Sequence, residues 1–215
     1  MRHTRGVTSE PAPAGRLPHR TRQFGPVTVA WTPISTINQV RPAAFDALSE
    51  PERARIETMA DDRADAFLLS RYLLRTVASE RGAAPRAKDV IVTATCTHCG
   101  GSHGRPQIDG FHASISHADG LAFIAIAPSE TVASLGIDTE SAVALDSSQE
   151  LLEWVSREAV LKADGRGLRG RVHVHLDVEV DGGSAVVMDT GNRYELTRVW
   201  FPRSTTILAI EHLPS

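Results

Sequence analysis

The chain has 215 residues, 41% of them hydrophobic, with 26 acidic against 23 basic side chains and a formal net charge of −3. That length buries a real core, as one large domain or two small ones, and the near-neutral balance argues against a general nucleic-acid binder. The longest apolar run, LAFIAIA, stops at Pro128, short of a membrane span, so no membrane partner is expected.

Residues 1 to 22 are rich in Arg, His, Pro and Gly and read as a disordered basic tail (Arg2, Arg5, Arg16, Arg20, Arg22). No hydrophobic stretch follows it, so a secretory signal is not expected and a cytoplasmic protein is. A strand is predicted at Val27 to Trp31. A short helix is predicted from Ala43 to Leu48. Ser49 with Glu52 three residues on, and Pro51 in the first turn, caps the next helix. A longer helix spans about Asp61 to Arg81. Arg53, Arg55, Arg63, Arg71 and Arg75 lie along these two helices, a content that suits a polyanionic ligand.

Residues 93 to 110, TATCTHCGGSHGRPQIDG, read as a loop. Cys96 and Cys99 have the spacing of half a zinc site, with His103 and His112 as further donors; a full structural site normally shows two such pairs, so a plain loop with thiols is the primary reading. FHASISH then alternates as a strand, and LAFIAIAP follows as a buried one. Asp119-Gly120 between them makes a hairpin with His117 at its tip. VASLGIDTE is a further strand, and Asp138 and Glu140, two apart, leave the same face of it.

The next helix starts at Ser147, with Glu150 as its capping-box partner, and stops at Gly165 and Gly167. Leu151, Trp154 and Val155 define its apolar stripe, while Glu153, Ser156 and Arg157 take the opposite side. Glu158 and Lys162 fall within the stripe. Buried charges persist only when paired, hydrogen-bonded or bound to an ion, so this pair marks a candidate site rather than a surface ion pair. Four strands close the chain, at Val172 to Val180, Ser184 to Asp189, Tyr194 to Trp200 and Thr205 to Glu211. The last, TTILAIEH, echoes LAFIAIAP. The pattern is α+β and hints at two similar α+β halves, 23–128 and 129–215, meeting in a cleft.

Five blocks in order now stand out: Gly104-Arg105-Pro106, Ser114-Ile115-Ser116-His117, Gly136-Ile137-Asp138-Thr139-Glu140, Trp154 through Glu158-Ala159 to Lys162, and Gly165-Arg166-Gly167-Leu168. Together they resemble the phosphopantetheinyl transferases of the surfactin-synthetase-activating type. The resemblance covers about Arg53 to the C-terminus. It implies a pseudo-dimer of two α+β halves, with coenzyme A in the cleft between them. It implies transfer of the 4'-phosphopantetheine arm of coenzyme A to a serine of an apo acyl or peptidyl carrier protein, with Mg²⁺ and release of 3',5'-ADP. A monomer is expected, since an internally duplicated fold has less need to dimerise.

Residue by residue, the resemblance implies Asp138, Glu140 and Glu158 as Mg²⁺ ligands, and hard carboxylate oxygens suit that ion. Glu158 is the candidate base for the serine hydroxyl, directly or through a water, and Lys162 steadies the phosphates and the leaving nucleotide. His117 and Ser116 lie at the phosphates and Arg105 at the nucleotide end. Among the helix arginines, Arg53, Arg55, Arg63 and Arg71 are candidates for the 3'-phosphate, with Arg55 and Arg63 placed first. Residues 141–150 form a shorter connector than in many relatives, and Arg157 stands where many have lysine. Arg166, Arg169 and Arg171 are candidates to meet the carrier. The rival readings are a non-catalytic coenzyme A or carrier-binding module, a metal-dependent nucleotide phosphohydrolase, and a zinc-organised interaction protein.

Overall fold

The computed structural model describes residues 17–96, 99–142, 148–166 and 172–214. The fold is mixed α+β, with two antiparallel five-stranded sheets and, among the described residues, four α-helices. The first sheet holds β1 (Arg20–Phe24), β2 (Val27–Pro33), β3 (Gln107–Ile108), β4 (Phe111–Ala118) and β5 (Leu121–Pro128), in the order β1-β2-β5-β4-β3. The second holds β6 (Ser134–Ser141), β7 (Val174–Glu179), β8 (Gly182–Val187), β9 (Arg193–Trp200) and β10 (Ser204–Glu211), in the order β6-β10-β9-β8-β7. Helices α1 (Ile37–Asp46), α2 (Glu50–Ile56) and α3 (Asp61–Glu80) fall between β2 and β3, and α4 (Ser148–Asp164) between β6 and β7. In each sheet a strand leads into helix, and the chain returns as a meander whose last strand pairs with that first strand.

Three apolar clusters explain the layering. Leu69, Leu73 and Val77 of α3 pack with Ala30, Ile124 and Ile126 on one face of the first sheet. Val155 and Ala159 of α4 pack with Leu196, Ile207 and Ala209 on one face of the second. Val27, Val29, Phe123 and Ala125 meet Ile137, Val199, Leu208 and Ile210 where the two inner faces stack. Both faces of β5 and β10 are therefore dry, which is why these strands read as continuous apolar runs rather than alternating ones.

Three sequence expectations need correction. The tail does not run to residue 22: Arg20–Phe24 pairs with β2 as β1, and Leu17 is buried. Its solvent-facing polar residues hid an edge strand. The short helix at Ala43–Leu48 is the second half of α1, which begins at Ile37 and carries Pro42 inside it; the proline reads locally as a start, but helix precedes it. On α4, Trp154 is half exposed and Ser156 is fully buried, the reverse of the expectation. Gly136 of β6 is the reason. A Cβ there would lie 2.1 Å from the Ala159 carbonyl oxygen and 2.6 Å from the Ala163 nitrogen. The closest approach of helix to strand is thus at Ala159 and Ala163, which turns the buried face toward Ser156 and leaves Trp154 outside. The Ser147 cap, Gly167, Leu168 and the arginines at 2, 5, 16, 169 and 171 lie outside the described residues.

Candidate functional site

The contact of α4 with β6 creates the site. Gly136, Asp138 and Glu140 alternate along one side of β6, while Leu135 and Ile137 point into the layer between the sheets. Gly136 admits the helix backbone, and the next residue on that side, Asp138, meets Lys162 one turn beyond Glu158. Lys162 Nζ donates to Asp138 Oδ1 at 2.6 Å, to the Ile115 carbonyl at 3.3 Å and to Ser116 Oγ at 3.3 Å. Asp138 is 4% exposed and Glu158 8%.

The two serines of SISH tie the sheets together. β6 is an edge strand, so its outward N–H groups need partners. Ile137 N donates to Ser114 Oγ at 3.0 Å and Thr139 N to Ser116 Oγ at 3.1 Å. Ser116 Oγ in turn donates to Asp138 Oδ1 at 3.0 Å. Its hydroxyl is committed to holding Asp138 and the strand, so Ser116 positions the site from behind.

The remaining carboxylate oxygens are under-used. Asp138 Oδ2 and Glu158 Oε1 are buried and have no hydrogen-bond partner among the described residues. Burial, and then the charge of Asp138, raise the Glu158 carboxyl above its usual range, with Lys162 opposing; the same causes raise Glu140. Three acids that repel one another, two with buried unbonded oxygens, form a donor set that suits a hard divalent cation. Their ligand oxygens do not all lie within 4.8 Å of one another; among the described residues only Cys96, Cys99 and His103 form a group of three with that spacing. The acids are charge-coupled neighbours.

Beside them opens a cavity of about 610 Å³, lined by α3, the 95–107 loop, β4 and α4. Arg55, Arg71, Arg105, Lys162 and Arg166 contribute five cationic side chains to its wall, and Glu158 is the one carboxylate there among the described residues. Two of the guanidiniums lie over the Phe67 ring, Arg55 at 4.9 Å and Arg71 at 5.1 Å from its centroid. Arg71 Nη1 is buried without a hydrogen-bond partner, and burial pulls this guanidinium down to about 10 despite Glu52 beside it. An anion in the cavity would relieve both conditions.

Other predicted residues sort by position. His117 lines the cavity and is exposed by surface area, although many protein atoms surround its ring. Burial, followed by the charge of Lys162, lowers its imidazole to about 4, so the ring is neutral at pH 7. Arg105 also lines the cavity, but Nη1 donates to the Ala163 carbonyl at 2.9 Å and Nε to the Ala113 carbonyl at 3.4 Å. It pins the Gly104–Pro106 turn to the last turn of α4, where a cation is favoured by unpaired carbonyls. Arg55 lines the cavity, whereas Arg63 is exposed and does not. Arg71, eight residues further along α3 and also among the expected phosphate candidates, does line it. Phe67, Ser70 and Arg71 share the lining face at i, i+3 and i+4, a spacing that was available to find it. Arg166 is held by Asp164 and Asp189.

Neither a family model nor a curated protein matches the chain. Among the described residues no helix is long and apolar enough to cross a membrane.

Proposed function

We propose that the protein is a Mg²⁺-dependent 4'-phosphopantetheinyl transferase that moves the phosphopantetheine arm of coenzyme A to a serine of an apo acyl or peptidyl carrier protein. The observation that carries this reading is the juxtaposition of a cation-lined cavity with buried, unbonded carboxylate oxygens on Asp138 and Glu158. Coenzyme A presents a pyrophosphate and a 3'-phosphate, and such a ligand needs positive charge along its length and a metal at its reacting end. The reading also treats the two sheets, with their shared strand–helix–meander order, as the two halves of an internal duplication.

Within this reading Asp138, Glu140 and Glu158 hold Mg²⁺, which neutralises pyrophosphate charge. Arg55 and Arg71 bind the outlying phosphate, with both guanidiniums against the Phe67 ring. Neutral His117 offers a hydrogen bond to a phosphate oxygen. The carrier serine oxygen attacks the phosphorus bearing the pantetheine, that phosphorus–oxygen bond to the nucleotide breaks, and 3',5'-ADP departs. Glu158 takes the serine proton directly or through a water. Lys162, held at Asp138, stabilises charge on the departing nucleotide.

The test is mass spectrometry of a panel of apo carrier proteins incubated with the protein, Mg²⁺ and coenzyme A. A gain of one phosphopantetheine on any carrier is expected, abolished by chelation of Mg²⁺. No gain on any carrier, with coenzyme A or nucleotide hydrolysed in their absence, would replace this reading with the phosphohydrolase.

A further inference from the structure

A second cluster lies apart from the carboxylates. The Sγ atoms of Cys96 and Cys99 and a ring nitrogen of His103 lie within 4.8 Å of one another, and Cys99 Sγ is 3.0 Å from His103 Nε2. Both cysteines are thiols. The backbone closes tightly around them: Gly100 N donates to the Cys96 carbonyl at 2.8 Å and Cys96 N to the Gly101 carbonyl at 2.7 Å. Gly100 has a φ of +72°, which glycine adopts freely. Gly101 leaves room where a Cβ would sit 3.1 Å from the His103 ring and 3.4 Å from Cys99 Sγ. Gly104 passes so near the neighbouring strand of loop that a Cβ would lie 2.3 Å from the Thr95 carbonyl oxygen.

This loop has no apolar anchor. Val92 and Ile108 are buried, but no described residue between them belongs to the core, and Cys99 and His103 are exposed. Hydrophobic burial therefore gives no reason for two thiols and an imidazole to converge. Yet the loop forms a wall of the cavity through Thr95, Cys96, His103, Gly104, Arg105 and Pro106. A loop that must hold a wall without a core is commonly fixed by a metal or a cross-link.

We propose that Cys96, Cys99 and His103 form a zinc site that locks the loop and so sets the position of Arg105. Two thiolates and an imidazole are soft and borderline donors, which select Zn²⁺ over Mg²⁺. With Zn–S near 2.3 Å and Zn–N near 2.1 Å, a tetrahedral ion needs sulfur and nitrogen about 3.5 Å apart. The 3.0 Å Cys99–His103 contact has only to open slightly, and the thiols lose their protons to solvent on binding. The described residues supply three donors. The site is independent of the transferase reading.

The test is equilibrium dialysis of the full chain against Zn²⁺, followed by elemental analysis, for the wild type, Cys96→Ser/Cys99→Ser and His103→Ala. About one zinc per chain is expected in the wild type. The double cysteine variant should lose it, and His103→Ala should hold it more weakly. Co²⁺ substitution should give thiolate-to-metal absorption in the wild type, weaker in His103→Ala and absent from the double cysteine variant. Should the double variant fail to fold, wild-type thiols are timed against a thiol reagent with and without Zn²⁺, and protection by the metal is expected. Equal zinc uptake by wild type and double variant, thiols equally reactive in both conditions, or a metal-free Cys96–Cys99 disulfide would overturn the proposal. These readouts need no carrier or coenzyme A, so a failed transfer assay does not bear on them.

Discussion

Lys162 Nζ lies 2.6 Å from Asp138 Oδ1, and the other oxygen of that carboxylate is buried without a partner. One oxygen is thus neutralised by an ammonium and backed by Ser116, leaving Oδ2 as a donor for a cation. Under the proposed function the aspartate would serve lysine and metal with one oxygen each. Glu158, four residues before Lys162, comes from the same flank of α4.

Replacing Lys162 by Ala should therefore slow transfer about 10²- to 10³-fold, the range for loss of one charge-stabilising donor. Glu158→Gln should do at least as much, since it removes both base and metal oxygen. Far-UV circular dichroism should be unchanged in both, because Lys162 is partly exposed and Gln is isosteric with Glu. Full transfer by either variant would remove that residue from the chemistry. Magnesium affinity should also weaken as pH falls toward the raised pKa values of Glu140 and Glu158, since protons compete for the same oxygens. Isothermal titration at two pH values, with coenzyme A held constant, measures it.

Gly136 carries a structural prediction. The Cβ of Ala at this position would sit 2.1 Å from a backbone oxygen of α4, and backbone cannot swing aside as a side chain can. Gly136→Ala should push the helix off the strand and cost at least the 1–3 kcal/mol typical of overpacking, about. It should lower the melting temperature and also widen the Lys162–Asp138 gap. Transfer should then fall more than stability alone accounts for. A variant with native melting and full activity would show that the approach of α4 to β6 does not set the site.

The sequence made some of this legible for a definite reason. Glu158 and Lys162 were visible because charges sat where periodicity called for apolar side chains, and Asp138 and Glu140 because two carboxylates two apart share one face of a strand. The strands were visible because β5 and β10 are apolar on both faces. What was hidden depended on tertiary approach. Trp154 and Ser156 exchanged places because Gly136, in another element, sets the rotation of α4. Arg71 rather than Arg63 lines the cavity because the lining part of α3 begins at Phe67, and where along the helix a cavity begins is set by the elements packed around it. Ser114 and Ser116 read as part of a ligand motif, while their hydroxyls satisfy the edge of β6. The convergence of Cys99 on His103 needed the turn at Gly100.

Glu52 shows another feature that only the fold reveals. It caps α2 through Ser49, with Ser49 N and Oγ donating to Oε2 at 2.9 and 3.0 Å. It also accepts from Arg75 Nη2 at 2.6 Å and lies 3.5 Å from Arg71 Nε. Arg75 is 1% exposed. Burial pulls the Glu52 carboxyl up, but the Arg75 bond and charge, with Ser49 and Arg71, outweigh it and hold it below its usual range. A depressed carboxylate stabilises the fold above the unfolded pKa of about 4.3 and loses that stabilisation as pH falls through the folded value. Glu52→Ala leaves Arg75 buried and unpaired, which should cost about 3–5 kcal/mol at neutral pH. The variant should also lose part of the wild-type drop in stability below about pH 4.3. Denaturant unfolding across pH checks both, and a variant with unaltered acid sensitivity would sink the assignment. Because Arg71 lines the cavity, the variant should also bind polyanions differently.

His117 gives the last prediction, in which ligand and pH are linked. Burial, then the charges of Lys162 and Arg71, lower its pKa to about 4, against the Ala66 carbonyl, which favours the protonated ring. Above the unfolded value of about 6.5 the ring is neutral in both states and contributes no pH dependence. Between that value and about 4 the unfolded chain binds a proton that the folded chain refuses, so stability falls as pH falls through this window. A polyphosphate in the cavity reverses part of the penalty, because its negative charge offsets Lys162 and Arg71 and favours imidazolium. Coenzyme A should therefore raise the His117 pKa, and binding should take up protons in the same window. Imidazole NMR titration with and without coenzyme A reads the shift directly. His117→Gln, neutral at every pH, should abolish the proton uptake while keeping a hydrogen-bond donor at the phosphate. A His117 pKa that does not move with ligand would mean that the phosphates lie elsewhere along the cavity.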